Sequence, residues 1–263
     1  MAAAVADDCA ALVAAAQAGA SPGFAAASRR LAPPWRQRAW LLYGWWQACQ
    51  GMVDAAPSPA TLARIEALTA MALAQRPTGL AGFDALARLA DLCPITIVHT
   101  GEVLVGWGLQ AAGWQPAGER DCLGQCYHTA GAMGVLGALV LGVDRHDHDT
   151  LDRACDWAMG WRLAGLARAG GAAGLAPARL MALAAPYLAA GRMGVGRLPW
   201  RARWGLESLV QGGGAGAWWR AWGRHPVVPA PPLPRGALAG LGLAAHSNAG
   251  LADAGAAPFA PAA

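Results

Sequence analysis

QCYHTAGAMGVLGALVLGVDRHDHDTLDRACDWAMGWRLAGLAR, residues 125–168, reads as two helices joined by a short turn. The first, roughly Asp121 to Gly142, is apolar on nearly every side and therefore belongs inside a core. The second begins near Asp149–Thr150 and runs to Arg168. Its spacing predicts a buried face holding Leu151, Ala154, Cys155, Ala158 and Trp161–Arg162. Between them, DRHDHD at 144–149 sets His146 and His148 beside three aspartates. Such a link between helices is ordinarily a charged, solvated loop, and we read it so in preference to a metal tract.

Outward from this pair, MAAAVADDCAALVAAAQAG forms a first helix, with Asp7 and Asp8 where a secretory signal would carry positive charge. Ser21–Pro22–Gly23 is turn chemistry before a short helical piece, and Pro33–Pro34 is read as a stop. Helices follow over Arg36–Val53, Thr61–Ala74, Gly82–Leu92 and Thr96–Leu109, and beyond Arg168 over Ala178–Ala190. No stretch alternates with period two, so the expected fold is all-α, a single helical bundle. The bundle is assigned to residues 1–211. Residues 212–263 hold Trp218, Trp219 and Trp222 beside Arg220 and Arg224, then a Gly/Pro/Ala-rich tail expected to be disordered.

With 263 residues, 56% of them hydrophobic and 14% charged, the chain can bury a substantial core. All 20 basic residues are Arg, a compositional skew that makes the net charge of +4 a weak signal. No Arg cluster interleaved with aromatics precedes the C-terminus, so a nucleic-acid partner is not expected. Six Cys without a CxxC spacing suggest free thiols in a reducing, cytoplasmic compartment. The uncharged run 129–143 is short of the roughly 20 residues a bilayer span needs, so contact with the inner membrane is expected to be peripheral at most.

CYHTAGAMGVLGALVLGV followed by LDRACDWAMGWRLAGLAR resembles, in order and phrasing, the helix pair of the second diphosphate site in squalene/phytoene synthases, especially bacterial phytoene synthases. The likeness can be followed over most of residues 20–220. It implies an isoprenoid-synthase bundle in which two acidic clusters hold Mg2+ against the leaving diphosphate of a prenyl substrate. LLYGWWQACQGMVD is similar to the first metal-binding segment of that family. There Tyr43 matches a tyrosine near the substrate, and Phe24 matches an N-terminal substrate contact whose preceding serine is here Gly23.

The carboxylates that the resemblance calls for are mostly replaced. An arginine and three aspartates of the first cluster fall at Gln47, Gln50, Gly51 and Asp54, leaving Asp54 as a remnant metal ligand. A glutamine, an asparagine and an arginine of the second fall at Arg162, Gly165 and Arg168. The acidic run after them falls at Ala169, Gly170, Gly171, Ala172 and Ala173, and part of the pattern beyond is deleted. A family tyrosine falls at Gln125 and a further aspartate at Gln110. The resemblance thus implies substrate contacts at Phe24, Tyr43, Arg162 and Arg168, with Mg2+ as cofactor if the chain is active and no catalytic residue assigned.

Arg162 shares a helix face with Gly165 and Ala169, which directs it toward the cavity. It could pair with Asp54 from the opposite helix, hold a phosphate with Arg168 in place of a metal, or turn out to solvent. Cys122 and Cys126 are read as buried small hydrophobes and His128 as a core histidine. The functional expectation is a squalene/phytoene synthase homologue without its Mg2+ sites. It would bind a prenyl diphosphate or other isoprenoid, or would partner an active synthase or another carotenoid-pathway protein. The rival is an active head-to-head prenyltransferase making phytoene or squalene. A ligand-free structural protein and a degrading gene copy are further alternatives.

Overall fold

The computed structural model describes residues 2–20, 22–29, 31–195 and 197. The Trp/Arg segment and the Gly/Pro/Ala-rich tail lie outside them. Among the described residues the chain is all-α apart from an isolated bridge between Ala172 and Leu175. Its helices are α1 (Ala2–Ala18), α2 (Pro22–Ser28), α3 (Pro33–Ala55), α4 (Pro59–Leu73), α5 (Ala81–Leu92) and α6 (Ile97–Ala111). The organising stretch supplies α7 (Glu119–Cys126), a π turn (Tyr127–Gly131), α8 (Ala132–Val140) and α9 (His148–Arg168). Then α10 (Pro177–Val195) returns along α9.

Local chemistry sets the boundaries. Pro33–Pro34, expected to be a stop, instead occupies the first positions of α3, where the missing N–H costs nothing and the fixed φ is already helical. Ser58 caps α4, its hydroxyl accepting from the Thr61 N–H at 3.1 Å. At α6, the Thr96 N–H donates to His99 Nδ1 at 3.1 Å, half of a capping box. The acidic-histidine turn caps as well: Asp147 accepts from the Thr150 N–H at 3.1 Å, while Asp144–Asp147 stay exposed.

Two apolar clusters organise the interior. The larger joins α1 to α6 and α8 around Leu41, Trp45, Ile65, Phe83, Leu86 and Leu136, none of them accessible to solvent. Each such side chain contributes about 1.5–3 kcal/mol on burial. Trp45 keeps its polar atom satisfied by donating to Thr69 Oγ1 at 3.3 Å. The smaller cluster joins α7, α9 and α10 through Cys122, Leu123, Leu163, Leu180 and Leu188. All six cysteines are free thiols, and Cys122 and Cys126 are fully buried. No helix among the described residues is long and apolar enough to cross a membrane.

Candidate ligand cavity

A cavity of about 190 Å³ opens where α3, α6, the π turn, α8 and α9 meet. From α3 come Trp46 and Gln50, one helical turn apart on one face. From α6 come Val103, Gly106, Trp107 and Gln110, whose i, i+3, i+4, i+7 spacing makes a single stripe. Met133 of α8 and Arg162 of α9 close the wall.

The remaining wall is the π turn, which contributes His128 and Thr129. The sequence predicts one unbroken helix from Asp121 to Gly142; instead the ladder widens over Tyr127–Gly131. Wider rings of this kind recur at functional sites because they re-aim the side chains they carry. Thr129 here donates back to the Gln125 carbonyl at 2.7 Å. The turn also seats tightly on α6, since a methyl group at Gly106 would come within 2.7 Å of the His128 carbonyl oxygen. His128 is thus half-buried on the cavity wall rather than a core histidine, its Nδ1 3.2 Å from Glu102 Oε2. Beside it, burial pushes the Tyr127 phenol well above its ordinary range, and the Glu102 carboxylate adds to the effect.

Asp54 sits in the last turn of α3, exposed at the rim of this cavity. Its Oδ1 accepts from Gln50 Nε2 at 2.6 Å and from Gln110 Nε2 at 3.5 Å. Arg162 lies on the cavity wall, as its spacing predicts, but forms no ion pair with Asp54. Two side-chain amides already satisfy that carboxylate in water, so little drives an arginine toward it. The Nε of Arg162 is shielded from solvent without a hydrogen-bond partner among the described residues. Its charge is felt by two thiols. Cys122 is drawn below the usual thiol range first by its hydrogen bond with Cys126 and then by Arg162. The same hydrogen bond and burial push Cys126 up.

The other residues singled out from sequence lie off the cavity wall. Phe24 stacks on Tyr43 with ring centroids 3.9 Å apart, and Tyr43 meets Trp46 at 5.8 Å. Trp46 in turn meets Trp107 at 6.0 Å, so a row of rings leads from α2 to the cavity. Arg168 has all three guanidinium nitrogens shielded and without partners among the described residues, and burial lowers its pKa to about 10. After it the chain reverses through Gly170 and Gly171, at φ +101° and +114°. A methyl at Gly171 would lie 2.7 Å from the Leu175 carbonyl oxygen, so this tight turn needs glycine there.

The donor set does not fit Mg2+. That ion takes oxygen ligands in octahedral geometry and relies on carboxylates to anchor it. Here Gln50, Gln110 and the cation Arg162 face the cavity, and Asp54 is engaged at its rim. Among the described residues no three His, Cys, Asp or Glu side chains converge as a metal site. Sequence reasoning passed over Trp46, Trp107, His128 and Thr129 as cavity residues. The α6 stripe was readable from its spacing; the π turn left no such trace.

An all-α bundle with a cavity between its central helices is the architecture of the isoprenoid synthases. A solved dehydrosqualene synthase in complex with ligand shares it at a TM-score of 0.56, with 16% identity and 78% of each chain covered. The family follows from sequence. The squalene/phytoene synthase model matches residues 17–174, and the chain belongs to that family. It is 32% identical over 160 residues to a phytoene synthase of Pseudescherichia vulneris. It is 30% identical over 163 residues to a 15-cis-phytoene synthase of Pantoea ananas. These matches cover 56% of this chain, which spans about half the length of both relatives, 51% in each case.

Proposed function

We propose that this family member binds a prenyl diphosphate or a related isoprenoid in the α3–α6–α9 cavity without condensing two of them. The observation that carries this reading is a cavity wall that holds no carboxylate among the described residues: Gln50 and Gln110 stand where the resemblance calls for aspartates, and Arg162 adds a cation. Ionising an allylic diphosphate requires the leaving group's charge to be neutralised as the C–O bond breaks. Each preorganised group that does so is worth roughly 3–4 kcal/mol. With most of those groups replaced, binding outlasts turnover. The size of the cavity supports the same reading: about 190 Å³ is below the roughly 300–1,000 Å³ usual for small-molecule sites. It suits one head group and the first isoprene units against Trp46, Trp107, Val103 and Met133. A carotenoid-pathway enzyme would be the natural recipient of a ligand held in this way.

The test is release of diphosphate from labelled farnesyl and geranylgeranyl diphosphate with Mg2+ present. A variant carrying Gln50→Asp, Gly51→Asp and Gln110→Asp runs beside the native chain. We expect no release by the native chain and retained binding of the intact ester. Release with formation of a head-to-head product would instead establish the active prenyltransferase.

A further inference from the structure

We propose that Arg162 takes the place of a metal ion in this cavity and holds the phosphate of the ligand directly. This rests on the reading of the cavity as a head-group site. Three observations support it. The arginine is on the wall, and its Nε is buried with no partner among the described residues, a costly state unless a ligand completes it. Two carboxylates bonded to cavity-lining side chains are engaged there, Glu102 with His128 and Asp54 with the two glutamines. The amide nitrogens of Gln50 and Gln110 meet at one carboxylate oxygen, so they already act as paired donors at the cavity mouth. They need only turn inward to serve a phosphate oxygen. A planar guanidinium matches phosphate with two parallel hydrogen bonds and carries a charge that no pH near neutrality removes. Where carboxylates would recruit a cation to meet the diphosphate, this chain supplies the cation itself.

The prediction is a prenyl-diphosphate site indifferent to divalent metal. Farnesyl diphosphate, farnesol and inorganic diphosphate are titrated against the full chain in EDTA and again in Mg2+. Farnesyl diphosphate should bind in EDTA and more tightly than farnesol, with inorganic diphosphate competing for the head-group site. Arg162→Gln should weaken it roughly 10- to 100-fold while leaving farnesol unchanged. Should that variant fold poorly by circular dichroism, Gln110→Glu carries the test from an exposed position. Its added carboxylate should weaken farnesyl diphosphate in EDTA, and Mg2+ should recover part of the loss. Binding that requires Mg2+ in the native chain, or equal affinity for farnesol and its diphosphate, would overturn the role of Arg162 and leave the cavity as an isoprenoid site. Absence of binding by all three ligands in both buffers would overturn the cavity reading as well.

Discussion

Asp156 is buried in α9 while its carboxylate pairs with Arg153 Nη1 at 2.8 Å. Burial outweighs the arginine: it raises the Asp156 pKa to about 6, with the nearby Asp152 adding to the rise. A carboxyl raised in this way holds its proton more tightly folded than unfolded. Between about pH 4 and 6 the native state therefore binds more protons, and stability falls as pH rises through that window and levels off above it. Asp156→Asn cannot titrate. Wild-type stability relative to that variant should decline by about 1–3 kcal/mol from pH 4 to 7, measured by urea unfolding at each pH. A pH-independent difference would mean that Asp156 keeps its ordinary pKa in the folded chain. Single side chains were unevenly legible in the sequence. The spacing of Arg162 placed it on the cavity wall, because helical geometry fixes which residues share a face. Its partner was not legible, since whether Asp54 sought an arginine or two glutamines depended on exposure at the end of α3. The metal-binding role that the resemblance gives Asp54 depends likewise on neighbours, and its neighbours are amides.

At the scale of elements, the stretch 132–140 carries two glycines that look alike in sequence and differ in surroundings. A methyl at Gly134 would lie 2.5 Å from the Ala154 carbonyl oxygen and 2.7 Å from the Ala158 β-carbon, so α8 and α9 touch there. At Gly137 nothing lies within 4 Å. Gly134→Ala should therefore cost about 1–3 kcal/mol by forcing the two helices apart. Gly137→Ala should add about 0.5–1 kcal/mol by lowering the entropy of the unfolded chain. Chemical denaturation of both variants reads the contrast, and a matching sign at the two positions would refute the close packing. Helix existence was legible nearly everywhere, because apolar periodicity reports which face is buried. The expected start at Thr96 falls on the residue that caps α6, whereas the expected start at Thr61 lies inside α4, whose cap at Ser58 the sequence reading did not use. Pro33–Pro34 misled because proline both ends one segment and begins the next. The π turn at Tyr127–Gly131 was hidden for a different reason. Its residues carry no apolar spacing that distinguishes a wider ladder from an ordinary helix, while the turn packs closely on α6 at Gly106 and on α9 at Gly131.

For the whole molecule, the decisive feature is where the cavity falls. Trp46, Val103, Trp107 and Met133 belong to the larger apolar cluster, whereas α9, which carries Arg162, builds much of the smaller one. The cavity thus sits on the seam between them, and the π turn bridges it. A ligand seated there contacts both sides at once and makes their separation costlier. Family membership and fold class could be read from the order of helices, since both depend on the apolar frame. The seam could not, because it arises from contacts between segments far apart in sequence. Hydrogen exchange can test it directly. With farnesyl diphosphate at a hundred times its Kd, amides of Val103–Gln110, Tyr127–Gly131 and Trp157–Arg168 should slow by up to about 100-fold where opening of the seam governs exchange. Those of Ala81–Leu92, in the interior of the larger cluster, should be unaffected unless they exchange only on global unfolding. Protection confined to α9 would place the ligand on one side of the seam and separate Arg162 from the glutamines. Protection shared by α6, the π turn and α9 would mean that one ligand engages both clusters, so that occupancy of the cavity contributes to holding the bundle together.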